Sequence, residues 1–265
     1  AKQYSGTNRL KLKLGAISRS ILDFSLFGKI VKYTKRYFGE NLKKEYGRFL
    51  SAVEYKKPFV YVPLHWQPEC TTSPLGEVFA DQILMVETLS SAIPSGWVIY
   101  VKEHPFQWSV DGVTQFTPMR YRGYYQKLAR LKNVRLVPIE TDTYALIMHA
   151  KAVATITGRA GIEGVLRGIP ALVFGFPWYR SLPGTFMVED TESARKALTL
   201  IENGFTVNQQ EVLNYLKSFE EATVRGYMEP LGSLNSLISR EESVRNILGL
   251  LRGGMHYALH KSVKT

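Results

Sequence analysis

Short apolar runs recur along this chain with helical segments between most of them, and that alternation constrains the fold more than any other feature. The runs are PFVYVPL (58–64), WVIYVK (97–102), VRLVP (134–138), AVATI (152–156) and ALVFG (171–175). Each reads as a buried strand, because it is too short for a core helix and is rich in β-branched or aromatic residues. EVFADQILMVETLSSA (77–92) carries Val78, Phe79, Ile83, Met85, Val86 and Leu89 at helical spacing. YYQKLARL (124–131), TYALIMHA (143–150) and residues 160–167 also read as helices, with Asp142 placed to cap the second of these. Strands alternating with helices pack most economically as a parallel sheet covered on its faces. The predicted fold class is therefore α/β, a Rossmann-like parallel sheet flanked by helices over 58–190. Helical segments are expected on either side: a basic one over 1–57, and a C-terminal set over 191–265 with apolar periodicity in 190–203, 208–221 and 240–252.

Charge is unevenly spread. The net charge is +11 and the pI about 9.6, and residues 1–57 hold much of the excess, from Lys11 and Lys13 to Lys56 and Lys57. Ile21, Leu22, Phe24, Phe27, Tyr33 and Tyr37 are interleaved with these cations. Two readings stay open: a basic amphipathic surface for anionic lipid or polyanionic sugar, or a solvated helical pair packing on its own domain. No apolar run nears the ~20 residues that span a bilayer, and AKQYSGTNRLKLKLG lacks the apolar core of a signal peptide. Cys70 is the single cysteine, so no internal disulfide is expected. A cytoplasmic protein, with peripheral contact at the inner face of a membrane through 1–57, is the expectation. No nucleic-acid motif accompanies the charge.

Polar residues gather where the strands end. In parallel sheets, ligands bind beyond the strands' carboxyl ends. The run 58–64 leads into His65, Trp66, Gln67, Pro68 and Glu69; 97–102 leads into Lys102, Glu103, His104 and Pro105. The run 152–156 leads into Thr157, Gly158, Arg159, Ala160 and Gly161, where a helix starts and would offer free N–H groups to a phosphate. Gly158 and Gly161 are read as letting the backbone approach the ligand, Gly168 and Pro170 as ending the helix, and Glu163 as reaching a sugar hydroxyl. His104 is the candidate hydrogen-bond donor or acid toward a leaving phosphate, with Lys102 offsetting its charge. His65, Glu69 and His104 are the catalytic candidates. Gln67, Lys102, Glu103, Pro105, Thr157, Gly158, Arg159, Ala160, Gly161 and Glu163 are the substrate-binding ones. His149 reads as structural, and His256 and His260 lie in a basic tail. The sequence holds no H-E-x-x-H, D-x-D, cysteine cluster or G-x-S-x-G, so neither a metal site nor a serine nucleophile is expected.

Three blocks carry a resemblance: YVPLHWQPECTTSPLGEVFADQ (61–82), VKEHP (101–105) and TITGRAGIEGVLRGIPALVFGFPWY (155–179). Together they resemble bacterial capsule and surface-polysaccharide biosynthesis proteins, a group similar to Kdo-transferase-type enzymes and, more distantly, to CMP-sialic-acid-using glycosyltransferases with an HP motif. The resemblance spans residues 58–190. It implies a GT-B fold, of which this region is the C-terminal, nucleotide-sugar-binding domain. By the same resemblance His104 and Pro105 meet the nucleotide phosphate, and Thr157, Gly158 and Gly161 form the loop before the donor-site helix. Glu163 then serves the ribose or sugar. Arg159 and Gly164 depart from the pattern, standing where a small residue and an alanine or acid are expected. The implied partners are a nucleotide-sugar, a glycan or glycolipid acceptor, and an N-terminal GT-B domain outside this chain; no cofactor is implied beyond the donor substrate. The implied reaction is metal-independent transfer of an acidic sugar from a CMP-activated donor. A UDP-sugar 2-epimerase-like enzyme and a non-catalytic glycan- or membrane-binding module are the alternatives.

Overall fold

The computed structural model of the protein describes residues 40–68, 71–109, 116–227 and 236–262. PFVYVPL becomes β1 (Phe59–Pro63), and the other runs give β2 (Val98–Lys102), β3 (Val134–Leu136), β4 (Ala152–Thr155) and β5 (Ala171–Val173). A further strand, β6 (Thr185–Met187), was not expected from the sequence. It is a three-residue edge strand without an apolar run, and its pairing with β5 (Ala171↔Thr185 to Val173↔Met187) defines it. All pairings are parallel, and the spatial order is β3-β2-β1-β4-β5-β6. This is the doubly wound order of dinucleotide-binding folds, whose winding reverses between β1 and β4.

Alternation along the strands sends side chains to two cores. On one face Val60, Val62, Ile99, Val101, Ala154 and Leu172 meet three helices, α2 (Gln82–Ala92), α4 (Tyr124–Arg130) and α7 (Thr191–Glu202). Met85, Val86 and Leu89 of α2 are fully buried there, each worth about 1.5–3 kcal/mol of transfer free energy. On the other face Phe59, Tyr61, Tyr100 and Val153 pack against Leu146 and Ile147 of α5 (Thr143–His149). Beside them Val165, at the end of α6 (Arg159–Val165), joins Val173, Tyr179 and Val212 of α8 (Gln209–Glu221). The last described helix is α9 (Arg240–Ser262). Among the described residues, no helix is long and apolar enough to cross a membrane.

Local signals set the helix starts. Asp142 caps α5 by accepting from the Tyr144 amide (2.9 Å), and Asp190 closes a capping box with Ser193 on α7. The predicted helix over 77–92 is divided instead: Glu77–Ala80 is a 3-10 turn, and Asp81 is extended and caps α2 through Ile83 N (3.0 Å). A side chain that satisfies a helix start competes with continuing the preceding turn. The expected loop after β2 also holds a short helix, α3 (Phe106–Ser109).

Of the segment 1–57, residues 1–39 lie outside the described ones. The described remainder contains α1 (Leu42–Gly47), whose Leu42 and Tyr46 are buried in the core. Its Glu45 makes a cap that no local pattern announces. The carboxylate accepts from Gly123 N (2.9 Å) and Tyr125 N (3.0 Å) at the start of α4, where Gly123 offers no side chain. Glu45→Ala leaves two shielded amides without acceptors and is expected to lower stability by about 2 kcal/mol. Urea denaturation checks this; a midpoint equal to the parent's means that water replaces the carboxylate.

Candidate functional site

The carboxyl ends of β1, β2 and β4 open on one cleft of about 290 Å3 at the point where the winding reverses. Its walls include His65 after β1, Lys102 to Pro105 after β2, and Thr155, Gly158, Arg159, Ala160 and Glu163 from β4 and α6. Tyr61, Pro63, Leu64 and Thr143 complete it. Residues far apart in sequence therefore share one solvent-facing space.

The ionisable groups play different parts. Arg159 is exposed and makes no ion pair among the described residues. Lys102 is mostly buried, with Nζ donating to the Thr143 hydroxyl (2.8 Å) and to the Thr141 carbonyl. Burial holds its ammonium below the usual lysine range, and the carboxylates of Asp142 and Glu140 oppose that shift. Burial likewise pushes the Tyr61 phenol well up, so it stays neutral while hydrogen-bonding Thr143. The His104 ring takes the Phe106 amide at Nδ1 (3.1 Å). An N–H donor there fixes Nδ1 as acceptor, so in the neutral ring the proton sits on Nε2, a hydrogen-bond donor.

His65 works differently from His104. Its Nε2 meets the Thr155 hydroxyl (3.1 Å) and the Thr157 amide (3.4 Å), while Thr155 Oγ1 accepts from Gly158 N (3.1 Å). The ring thus holds the β4–α6 turn through Nε2 while it lines the cleft. A Cβ on Gly158 would stand 2.8 Å from Thr155 Oγ1 and 3.0 Å from His65 Cε1. That glycine is needed by this packing.

Four further candidates are held by the fold in other ways. Glu103 is 1% exposed and both of its oxygens are used: Oε2 by Arg120 Nε (2.8 Å) and Tyr125 OH (2.6 Å), Oε1 by the His104 amide (2.7 Å). Gln67 does not line the cleft; its amide is bonded to Thr72, Ala80 O, Gln82 and Arg120. Gly161 lies beneath Tyr179; a Cβ there would stand 2.5 Å from the phenol oxygen, so packing alone already requires the glycine. Thr157 also stays off the cleft lining, its hydroxyl shielded without a hydrogen-bond partner. Glu69 lies outside the described residues. His149 is exposed at the end of α5, with Nδ1 2.9 Å from Ala145 O and its ring 4.8 Å from that of Tyr55.

Arg120 is the residue that sequence reasoning missed. It is fully buried and forks to Glu103, to Gln67 Oε1 (3.0 Å) and to the His65 carbonyl (2.9 Å). Gln82 grips the same His65 backbone from the other side, accepting at 2.7 Å and donating at 3.1 Å. One buried ion pair therefore fixes the main chain at both His65 and His104. No motif surrounds Arg120, in a loop that reads only as rich in Gly, Thr and Pro.

A model of the family described as capsule polysaccharide biosynthesis protein matches residues 53–197. The capsule polysaccharide modification protein LipA of Neisseria meningitidis serogroup B is 29% identical over 96 residues, covering 36% of this chain and 12% of LipA. Similar solved structures include the UDP-GlcNAc 2-epimerase of Methanocaldococcus jannaschii, at 12% identity and a TM-score of 0.41, covering 70% of this chain and 51% of that one. The β-Kdo 2,7 transferase of Thermosulfurimonas dismutans KpsC is another, at 16% identity and a TM-score of 0.40, covering 67% and 58%. The chain thus spans only part of the length of each of these relatives. Because the family model takes in more than half of its residues, cleft included, this chain belongs to the capsule polysaccharide biosynthesis protein family.

Proposed function

We propose that this chain is the donor-binding domain of a metal-independent, GT-B-type glycosyltransferase that moves an acidic sugar from a CMP-activated donor onto a growing surface glycan. The observation that carries the reading is the convergence of Lys102, His104 and Arg159 on one cleft at the switch point of a doubly wound sheet. Those groups suit a phosphate: a part-desolvated ammonium, an imidazole Nε2–H and an exposed guanidinium. Transfer breaks the bond between the anomeric carbon and the phosphate oxygen, forms one to the acceptor oxygen as a base on the acceptor side takes that hydroxyl's proton, and leaves the electron pair on the phosphate. Donors held on one cleft wall can stabilise the developing charge there. Glu163, half-buried on the wall formed by α6, is the acceptor for a ribose or sugar hydroxyl.

Calorimetric titration with CMP, UDP and GDP tests this. Selective CMP binding that survives chelation of divalent ions is expected, and His104→Ala should weaken it about tenfold or more, the worth of a charge-assisted hydrogen bond. Preference for UDP moves the reading to a UDP-sugar enzyme. Binding of none of the three, with salt-sensitive binding of polyanions instead, replaces it with a non-catalytic glycan-binding module.

A further inference from the structure

A second cleft, of about 300 Å3, lies between the start of α2 and the loop that precedes α4, and shares no lining residue with the donor cleft. Gln67, two positions beyond His65, forms part of its wall. We infer that this cleft binds the acetamido group of an N-acetylated sugar, with Tyr124 donating to the amide carbonyl and Asp81 accepting from the amide N–H.

One orphaned group points to a ligand. Tyr124 lines the cleft and is 2% exposed, and its hydroxyl is shielded without a hydrogen-bond partner among the described residues. A buried phenol is ordinarily paired, because leaving it unpaired costs the desolvation of the group with nothing in return. Burial pushes this phenol well up, so it keeps its proton and remains a donor in want of an acceptor. The neighbouring amides do not supply one. Gln67 and Gln82 spend both ends of their side chains on each other, on Thr72, on Arg120 and on the His65 main chain. Asp81 is exposed and uses Oδ1 on the Ile83 amide, while its Oδ2 has no hydrogen bond among the described residues. Tyr124 and Asp81 thus offer a donor and an acceptor, the complement of an amide's C=O and N–H. Among the described residues no lysine or arginine lines the cleft, which disfavours a phosphate. Arg120 lies against the Tyr124 ring (4.5 Å) but is paired with Glu103, and Lys127 donates to the Tyr121 hydroxyl (2.8 Å). Pro118, Met119 and Tyr121 give the cleft an apolar wall. A lone hydroxyl satisfies either polar group but leaves that wall uncovered, whereas an acetamido group meets both groups and lays its methyl on the wall. That the sugar belongs to the growing glycan rests on the transferase reading; the acetamido site itself does not.

Saturation-transfer NMR with N-acetylglucosamine, N-acetylneuraminic acid and glucose is the test. Transfer to the acetamido methyl of at least one N-acetylated sugar is expected, and none to glucose; which of the two responds tells whether a neutral or an acidic unit carries the group. Tyr124→Phe should weaken that binding about tenfold. It should leave Tm equal to the parent's or higher, because it removes a buried polar atom that has no partner. Asp81→Ser keeps a capping residue for α2 while withdrawing Oδ2, and should weaken binding as well. No transfer to either N-acetylated sugar, equal transfer to glucose, binding untouched by Tyr124→Phe or by Asp81→Ser, or a lower Tm in Tyr124→Phe overturns the assignment. CMP titration of Tyr124→Phe, expected to match the parent, separates the two readings. Tyr124-dependent acetamido binding without CMP binding sinks the donor reading alone, and CMP binding without acetamido binding sinks this one alone.

Discussion

Arg120→Met is expected to lower stability by about 3–5 kcal/mol, because it strands the carboxylate of Glu103 in the interior without its countercharge. For a chain of this size that is a fall in Tm of about 10 °C or more. Both partners have side chains that are 0% exposed, so water cannot take over the lost contacts as it does at a surface pair. Thermal and urea unfolding of the purified variant measure the effect. Arg120→Lys should recover little, since one ammonium cannot reach Glu103, Gln67 Oε1 and the His65 carbonyl together as the planar fork does. The double change Arg120→Met with Glu103→Gln should recover more than half of the loss, because no buried charge is left unpaired. A loss in Arg120→Met below about 1 kcal/mol would show that the pair contributes as weakly as an exposed one. Arg120→Lys also tests positioning. Where it still folds, CMP affinity should fall, because the backbone at His65 and His104 is no longer held.

Gly161→Ala comes next in size. The added methyl would stand 2.5 Å from the Tyr179 hydroxyl and 3.1 Å from both Tyr179 Cε2 and Thr155 Cγ2. Tyr179 is 1% exposed, and its hydroxyl donates to the Gly158 carbonyl, so it has nowhere to retreat. Overpacking of this kind costs about 1–3 kcal/mol. Removing the hydroxyl makes room, so Gly161→Ala in a Tyr179→Phe background should cost clearly less than in the parent. A double-mutant cycle on unfolding free energies reads that coupling directly. Additive effects would place the strain elsewhere in the β4–α6 turn. If Gly161 instead served ligand approach, Gly161→Ala would leave stability intact and reduce nucleotide affinity.

These two residues mark the boundary of what the linear chain discloses. The apolar runs that became β1 to β5, the Asp142 cap and the gathering of ionisable residues after three strands were all legible, because each depends on neighbours within a few positions. The glycines after β4 were legible as a turn, yet their purpose was not. Whether a missing side chain makes room for a ligand or for Tyr179 is decided by what folds over it. Edge strand β6 has no pattern of its own and exists through its pairing with β5.

Sequence by itself settled the layers: an α/β chain of alternating strands and helices, with its polar chemistry at the strands' carboxyl ends. Tertiary structure decided the strand order, hence that β1 and β4 are neighbours and their loops face one cleft. It also decided which acids are bonded inside and which face solvent. Arg120 reaches His65 across 55 positions, and Glu45 reaches Tyr125 across 80. Periodicity and capping act over one or two turns of chain, whereas burial of a charge is determined by every segment that packs around it.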